Sequence, residues 1–160
     1  MVEEKILVVD DSAEVQQQVN EMLSQVGYSV VTCSSGKEAL DFLDTERVDL
    51  VLLDINMPDL NGYEVCLRIR QKFALDDLPV VFLTNREDYD SITKGSHAGA
   101  SECGSKTAGP DILLARVNVH IRLARTLRYL GDISLTDDLT GAYNRRHAMY
   151  SLREWFARSA

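Results

Sequence analysis

Short apolar runs alternate along this chain with longer stretches in which apolar residues recur every three or four positions. The short runs are rich in β-branched residues and are bounded by breakers, which is typical of buried parallel strands. Strands that alternate with helical patterns indicate an α/β protein with a parallel sheet. The fifth run has little intrinsic strand preference, because it contains Glu102, Cys103 and Gly104. The predicted strands lie within residues 5–11, 29–33, 50–53, 80–84 and 102–104.

Helical patterns fill the intervals between these strands. The first predicted helix ends at Gly27, and its inward face consists of Val15, Val19, Met22, Leu23 and Val26. Ser35 and Glu38 have the spacing of a capping box, which predicts a second helix through Leu43. Two more helices are predicted, one over 62–71 with Val65, Cys66 and Ile69 facing inward and a polar one over 89–98.

A long helix is predicted after the fifth strand. Pro110 occupies the favoured first helical position and follows Gly109. Helix from 110 to about 135 would be roughly 39 Å long at ~1.5 Å per residue, which is more than a domain of this size needs. The excess predicts a stalk or coiled-coil contact, and therefore a homodimer formed through the C-terminal helix region. Its apolar stripe continues through Val119, Leu123, Leu127 and Leu130.

The composition sets the class of protein. The 160 residues are 45% hydrophobic and 26% charged, which fits one soluble globular domain with a short appendage. No apolar run approaches the roughly 20 residues that span a bilayer, and the acidic start is unlike a signal peptide. A cytoplasmic protein with no membrane partner is therefore predicted. Three cysteines without a C-x-x-C pair and three scattered histidines indicate reduced thiols and no zinc site.

Charge is unevenly distributed along the chain. Residues 1–110 hold 9 Lys and Arg against 20 Asp and Glu, a net charge of −11. Residues 111–160 hold 8 Arg against 5 acidic residues, a net charge of +3. The acidic part repels nucleic acid, and the spaced arginines of the second part are typical of a solvated helix face. No nucleic-acid partner is predicted.

Candidate chemistry gathers where the predicted strands end. Asp10 and Asp11 follow the first strand, Asp54 the third and Thr84 the fourth, and Lys106 comes after the fifth. Ligands of open parallel sheets bind outside the carboxyl ends of the strands, so these side chains are expected in one pocket. Like charges about 4 Å apart repel by about 4 kcal/mol at an effective dielectric of ~20, so the carboxylates need a cation. Oxygen ligands suit Mg²⁺, and a carboxylate can itself attack a phosphoryl group.

In this order and spacing, Asp10–Asp11, DINMPDLNGYEV (54–65), Thr84 and Lys106 resemble the response-regulator receiver domain, the CheY-like partner of histidine kinases. The resemblance spans about 1–125. It implies a flavodoxin-like three-layer α-β-α fold, with a five-stranded parallel sheet flanked by helices and here an extended C-terminal helix. It also implies a partner, either a sensor histidine kinase or a phosphotransfer protein.

The resemblance assigns a role to each site residue. Asp54 is the expected phosphoacceptor, and Thr84 and Lys106 are expected to bind the phosphoryl group. Asp11, Asp54 and the backbone carbonyl of Asn56 would hold Mg²⁺, and Asp10 would act partly through water.

Two positions depart from the pattern of that family. Cys103 stands where most receivers have Tyr or Phe, and Thr107 stands where most have Pro directly after the lysine. The aromatic usually reports phosphorylation by turning inward. A degenerate receiver, acting through protein contacts without phosphorylation, is therefore the alternative hypothesis. The intact acidic cluster, Thr84 and Lys106 oppose it.

A second resemblance lies in the last part of the chain. The segment SLTDDLTGAYNRRHAM (134–149) resembles the opening of a GGDEF diguanylate cyclase domain. The matching residues are Asp138, Leu139, Thr140, Gly141, Asn144, Arg145 and Arg146. The resemblance divides the chain into a receiver (1–125), a signalling helix or linker (126–135) and an N-terminal GGDEF fragment (136–160). The Gly-Gly-Asp/Glu-Glu-Phe loop that catalyses cyclisation is absent from these 160 residues, so the chain itself is not expected to be an enzyme.

The sequence therefore predicts a phosphorylatable receiver that regulates a C-terminal diguanylate cyclase, the source of cyclic di-GMP, in a longer parent protein. A Mg²⁺-dependent phosphatase of the haloacid-dehalogenase kind is disfavoured, because that family attacks with the first Asp of a D-x-D motif and Ser12 follows Asp10–Asp11 here. A DNA-binding regulator is also disfavoured, because residues 126–160 match the start of a cyclase.

Overall fold

The computed structural model describes residues 3–85, 89–106 and 109–134. Thr107 and the GGDEF-like motif lie outside these residues, apart from Ser134 at the end of the last helix. The predicted domain boundary at 125/126 falls within that helix. The boundary at 135/136 lies outside the described residues.

Five parallel strands form one sheet in the order β2-β1-β3-β4-β5. Their bounds are β1 Lys5–Val9, β2 Ser29–Cys33, β3 Leu50–Asp54, β4 Val80–Thr84 and β5 Glu102–Ser105. The three inner strands are apolar along almost their whole length because both faces of the sheet are covered. Since all five strands run the same way, their carboxyl ends meet at one edge.

Five helices connect and cover the strands. They are α1 Ala13–Gln25, α2 Gly36–Thr45, α3 Gly62–Lys72, α4 Tyr89–Ala98 and α5 Pro110–Ser134. The predicted elements are all present, and their bounds differ from the expected ones by a residue or two. Ser12, Ser35 and Asn61 cap the first three helices by accepting hydrogen bonds from backbone N–H groups of the first turn.

The helices form one layer on each face of the sheet. Val19 and Leu23 of α1 pack with Val117 and Ile121 of α5 against one face. The other face is covered by α2, α3 and α4, whose buried residues are Ala39, Leu43, Val65, Cys66, Ile69 and Ala98. The predicted three-layer α-β-α fold is confirmed. None of the helices in the described ranges is long and apolar enough to cross a membrane.

One expectation about a helix face needs correction. Val26 was expected on the inward face of α1, but it is the C-cap residue and is 56% exposed, because the helix has already ended at Gln25. In α5 the face that packs on the sheet is formed by Val117, Ile121 and Ala124. The predicted apolar stripe lies on another face, and three of its members, Val119, Leu123 and Leu130, are more than half exposed.

Candidate phosphorylation site

The predicted acidic cluster forms at the carboxyl edge of the sheet. Asp10 follows β1 and Asp54 is the last residue of β3, which pairs with β1 in parallel. One carboxylate oxygen from each of Asp10, Asp11 and Asp54 lies within 4.8 Å of the other two. Asp10 and Asp54 are buried and Asp11 is exposed, so the cluster is a cleft that opens toward solvent on one side.

Local hydrogen bonds fix the two buried carboxylates. Oδ1 of Asp10 accepts a hydrogen bond of 2.9 Å from the backbone N–H of Ser12, the N-cap residue of α1. Oδ1 of Asp54 accepts one of 3.3 Å from the backbone N–H of Asn56. Each carboxylate is therefore held by the backbone two residues further on, as in an Asx turn.

Lys106 reaches this cluster from β5. Its Nζ lies 2.7 Å from Oδ2 of Asp10 and 3.2 Å from Oδ1 of Asp54, and the side chain is only 13% exposed. The backbone N–H of Lys106 donates to the carbonyl of Thr84 at 2.8 Å, which continues the pairing of β5 with β4. Thr84 is the buried last residue of β4. In the sheet, β4 lies between β3, which ends in Asp54, and β5, which leads into Lys106.

Burial and mutual charge shift the pKa values of this site. Burial is the largest effect on Asp54 and raises its pKa, the neighbouring Asp10 raises it further, and Lys106 opposes both. Burial acts to lower the pKa of Lys106, but hydrogen bonds and charge from Asp10 and Asp54 outweigh it, so that pKa is raised. Lys106 is therefore a firmly held cation, whereas an ionised Asp54 is under electrostatic strain.

The donor set fits a hard divalent cation. Three carboxylates and one ammonium leave the cleft with an excess of negative charge, and oxygen ligands at partial exposure suit Mg²⁺ and its retained waters. Asn56 lies on the exposed loop directly after β3, two residues from Asp54. Asp10, Asp11 and Asp54 converge as expected, and the backbone N–H of Asn56 is hydrogen-bonded to Asp54.

Two further residues build the site and were not predicted from the sequence. The Gln16 side chain on α1 donates to the backbone carbonyls of Asp10 and Cys33, which ties the β1–α1 connection to the end of β2. At Gly62, a Cβ would lie 2.4 Å from the carbonyl oxygen of Asp54, so only glycine allows α3 to begin this close to β3. The sequence signal that could have identified Gly62 was its position directly after Asn61, the N-cap residue of α3.

Tyr63 and Cys103 lie near the site but belong to the packing around it. The Tyr63 ring meets Phe82 edge-on with 5.3 Å between ring centroids, which is a packing contact between two aromatic side chains. Cys103 is half-buried on β5, in register with Phe82 of β4, and packs against the same apolar cluster.

Comparison with known proteins identifies the family. The sequence profile of the response regulator receiver domain family matches residues 6–118, so the chain belongs to this family. The receiver resemblance predicted from the sequence is confirmed. Receiver domains take part in two-component signalling with histidine kinases or phosphotransfer proteins, and they use Mg²⁺ at an acidic pocket.

Individual relatives match the same region. The "Probable transcriptional regulator ycf27" of Guillardia theta is 40% identical over 119 residues, which are 74% of this chain and 46% of that protein. The "Response regulator MprA" of Mycolicibacterium vanbaalenii is 41% identical over 118 residues, 74% of this chain and 50% of that protein. The chain thus spans about half the length of these relatives. The structure of the Vibrio cholerae chemotaxis protein CheY4 covers 73% of this chain and 98% of its own, with 31% identity and a TM-score of 0.69.

Proposed function

We propose that this chain is a cytoplasmic receiver that is phosphorylated on Asp54 by a histidine kinase or a phosphotransfer protein, with Mg²⁺ held by Asp10, Asp11, Asp54 and Asn56. The observation that carries the proposal is the position of Asp54. Asp54 is 4% exposed, its carboxylate clusters with two others in an arrangement that could hold a cation, and it lies 3.2 Å from the ammonium of Lys106.

The chemistry is nucleophilic phosphoryl transfer to a carboxylate. An oxygen of Asp54 attacks phosphorus, the bond to the donor's leaving group breaks, and an acyl phosphate results. Lys106 neutralises negative charge on the incoming phosphoryl oxygens, and the Thr84 hydroxyl donates to one of them. When bound, Mg²⁺ supplies additional positive charge at the same oxygens.

Phosphorylation from a small donor tests the assignment. Acetyl phosphate with Mg²⁺ should add a labile mass of roughly 80 Da, one phosphoryl group, to the wild-type protein. Asp54→Asn should abolish the adduct, whereas Asp41→Asn, which changes an exposed carboxylate on α2, should leave it unchanged. Equal modification of wild type and Asp54→Asn would remove Asp54 from the proposal.

The degenerate receiver stays the alternative because Cys103 lacks the ring that usually reports phosphorylation. It predicts that the fold and the acidic cluster persist without phosphoryl uptake. The ion pairs of Lys106 with Asp10 and Asp54 favour a receiver that is phosphorylated over a degenerate one. The acetyl phosphate experiment separates the two, since a degenerate receiver gives no adduct in wild type.

For the output we propose regulation of a C-terminal diguanylate cyclase. The support is the run of Asp138, Leu139, Thr140, Gly141, Asn144, Arg145 and Arg146 in the spacing of a GGDEF opening. On this proposal, the receiver ends near residue 125, a signalling helix follows to about 135, and the cyclase begins at about 136.

A transcriptional output is the second candidate, and it is favoured by the Guillardia theta relative, which is described as a probable transcriptional regulator. The coding sequence downstream of residue 160 discriminates the two outputs. A GGDEF-type motif roughly a hundred residues on supports the cyclase, and the full-length product should then convert GTP to cyclic di-GMP. A DNA-binding domain in its place would replace the cyclase proposal.

A further inference from the structure

The loop that follows the proposed phosphoacceptor connects β3 to α3 and comprises residues 55–61. Near its ends it is fixed by short-range hydrogen bonds. The N–H of Gly62 donates to the carbonyl of Ile55 at 2.8 Å, and Oδ1 of Asn61 accepts from the N–H of Glu64 at 3.0 Å. These bonds fix the ends of the loop but do not attach its middle to the rest of the domain.

Asp59 provides that attachment. Its Oδ1 accepts from the backbone N–H of Gly36 at 3.3 Å, and its Oδ2 accepts from the N–H of Lys37 at 3.1 Å. Both donors belong to the first turn of α2, where N–H groups have no acceptor within the helix. The side chain of Ser35 accepts from Glu38, the next N–H of the same turn. A residue of the β3–α3 loop thus completes the cap of a helix more than 20 positions away in sequence.

The electrostatics of this contact are favourable. A carboxylate at a helix N-terminus interacts with the positive end of the helix dipole. Slight burial acts to raise the pKa of Asp59, but hydrogen bonds from the backbone of Leu60, Lys37 and Gly36 outweigh it and lower that pKa. The charged form of Asp59, which makes both bonds, is therefore the form present at neutral pH.

Close packing leaves little freedom around the contact. A Cβ at Gly36 would lie 2.5 Å from a methyl carbon of Val65 on α3 and 3.1 Å from Cβ of Leu60 in the loop. The N-terminus of α2 therefore lies directly against both the loop and the start of α3. Any displacement of Asp59 would therefore also displace its neighbours, namely the N-terminus of α2 and the start of α3.

We propose that Asp59 is a positioning residue for the phosphorylation site, which it serves by anchoring the β3–α3 loop to the N-terminus of α2. The inference rests on the proposed function, because Asn56, three residues before Asp59, is there a ligand of Mg²⁺ through its backbone carbonyl. The anchor at Asp59 and the bond from Asn56 to Asp54 hold the intervening stretch from both ends. The loop thereby presents Asn56 at a fixed distance from the cluster.

The test compares Asp59→Ala and Asp59→Asn with the matched control Asp41→Ala. Asp41 is an exposed acid on α2, so its removal changes the net charge near the same helix to the same extent. Amide exchange of Gly36 and Lys37 in the metal-free protein reports the anchor. Titration with Mg²⁺ alone, followed by the NMR signals of residues 54–57, reports the cation site.

We expect Asp59→Ala to speed exchange at both amides by roughly fivefold and to raise the Kd for Mg²⁺ several-fold, with thermal unfolding still cooperative. Asp59→Asn keeps one acceptor oxygen and should fall between Asp59→Ala and wild type. Faster exchange in Asp59→Ala together with a Kd equal to that of Asp41→Ala would show that the anchor does not position the site.

The two proposals fail in different ways. If wild type binds Mg²⁺ and becomes phosphorylated on Asp54 but the Asp59 variants bind Mg²⁺ equally well, only the positioning role is overturned. If wild type neither binds Mg²⁺ nor accepts phosphate, the proposed function fails, and the role of Asp59 fails with it.

Discussion

The ammonium of Lys106 lies 3.2 Å from the carboxylate of Asp54 although β4 separates the two strands that lead to them. Neighbouring strands are about 4.8 Å apart, so the Lys106 and Asp54 side chains together bridge the roughly 10 Å of sheet edge between their strands. It also lies 2.7 Å from Asp10, at the end of β1. The Lys106 side chain therefore links the ends of β1, β3 and β5. It also offsets the repulsion between the carboxylates of the cleft, which would otherwise destabilise the fold.

Removing this cation should destabilise the metal-free protein. Lys106→Ala leaves two buried carboxylates without their counter-charge, and we expect a loss of roughly 1–3 kcal/mol in the free energy of unfolding. Saturating Mg²⁺ should recover most of the loss, because it neutralises the same carboxylates and binds only the native state. Urea denaturation with and without millimolar Mg²⁺ measures both effects.

Lys72→Ala is the matched control for this experiment. Lys72 pairs with Asp44 at the surface, where both side chains are about half exposed, so its loss should cost under about 1 kcal/mol and should not respond to Mg²⁺. Equal destabilisation by Lys106→Ala and Lys72→Ala would mean that the buried pairing contributes no more than a surface ion pair.

The raised pKa of Asp54 predicts that replacing it with its neutral isostere, in Asp54→Asn, stabilises the protein to an extent that depends on pH. The native state binds a proton at Asp54 more readily than the unfolded chain, so wild type loses stability as pH rises from the ordinary value of 3.8 through the raised pKa. Asp54→Asn carries no charge and avoids this loss. Without Mg²⁺ it should therefore be more stable than wild type at pH 7.5, and the gain should vanish near pH 4.

Chemical denaturation at a series of pH values checks this prediction, with Asp41→Asn as a variant of the same charge change at an exposed position. The measurement contradicts the electrostatic account if the advantage of Asp54→Asn is constant from pH 4 to 7.5. The stability that Lys106 contributes is lost in a different pH range. Its raised pKa means that its stabilisation is complete below the ordinary 10.5 and is lost only above it.

Strand and helix positions followed from the sequence because their signals are local. The runs at β1, β3 and β4 are buried on both faces and read as continuous apolar segments, and Ser35 caps α2 as its spacing predicts. The acidic cluster was also predictable, because strand ends in a parallel sheet converge whatever the side chains are. β5 was also predicted, although its residues are poor strand formers.

Contacts between distant segments did not follow in the same way. Asp59 has no pattern that links it to Gly36 and Lys37, since the contact depends on how α2 packs on α3. In α5 the sequence offers two apolar stripes, and periodicity alone does not say which one meets the sheet. The structure places Val117 and Ile121 inward and leaves Val119 and Leu123 exposed.

The exposed stripe of α5 predicts self-association. Val119, Leu123 and Leu130 are 60%, 51% and 56% exposed, and positions 119, 123 and 130 fit a heptad seam. Flanking arginines are occupied within the chain, since Arg125 pairs with Glu4 and Arg128 with Asp49. Positive charge on this helix is thereby partly neutralised, which lowers the repulsion between two copies.

Sedimentation at increasing concentration, with and without beryllofluoride, measures this association. Leu123→Glu should shift the protein toward monomer, because it places a charge in the apolar seam, while acetyl phosphate still modifies Asp54. Asn118→Glu introduces the same charge at an exposed polar position of α5 and should leave the association unchanged. A strict monomer for wild type in both states, at high concentration, would exclude dimerisation through this helix.

We expect Cys103 to affect how phosphorylation of this receiver is transmitted. A thiol at this half-buried position of β5 displaces little volume when its rotamer changes, so the inward turn of a large ring cannot carry the signal here. On the proposed function, the remaining route would run through Thr84 and Lys106, whose backbones are joined by a hydrogen bond of 2.8 Å and which are expected to bind the phosphoryl group. Coupling requires only that the phosphoryl group bind one arrangement of these loops better than the other.

Amide exchange across 89–106, compared between free and beryllofluoride-bound protein, distinguishes direct coupling from its absence. Wild type should show altered protection in β5 and α4 on binding, because β5 pairs with β4 and leads into Lys106, and α4 contacts β5. Cys103→Tyr introduces a ring and should enlarge that change, while Cys66→Ala, which replaces a buried thiol on α3 rather than β5, serves as the control for loss of a cysteine. No change in wild type together with a clear change in Cys103→Tyr would mean that the natural protein has lost its switch, and the degenerate receiver would then be the better account of its function.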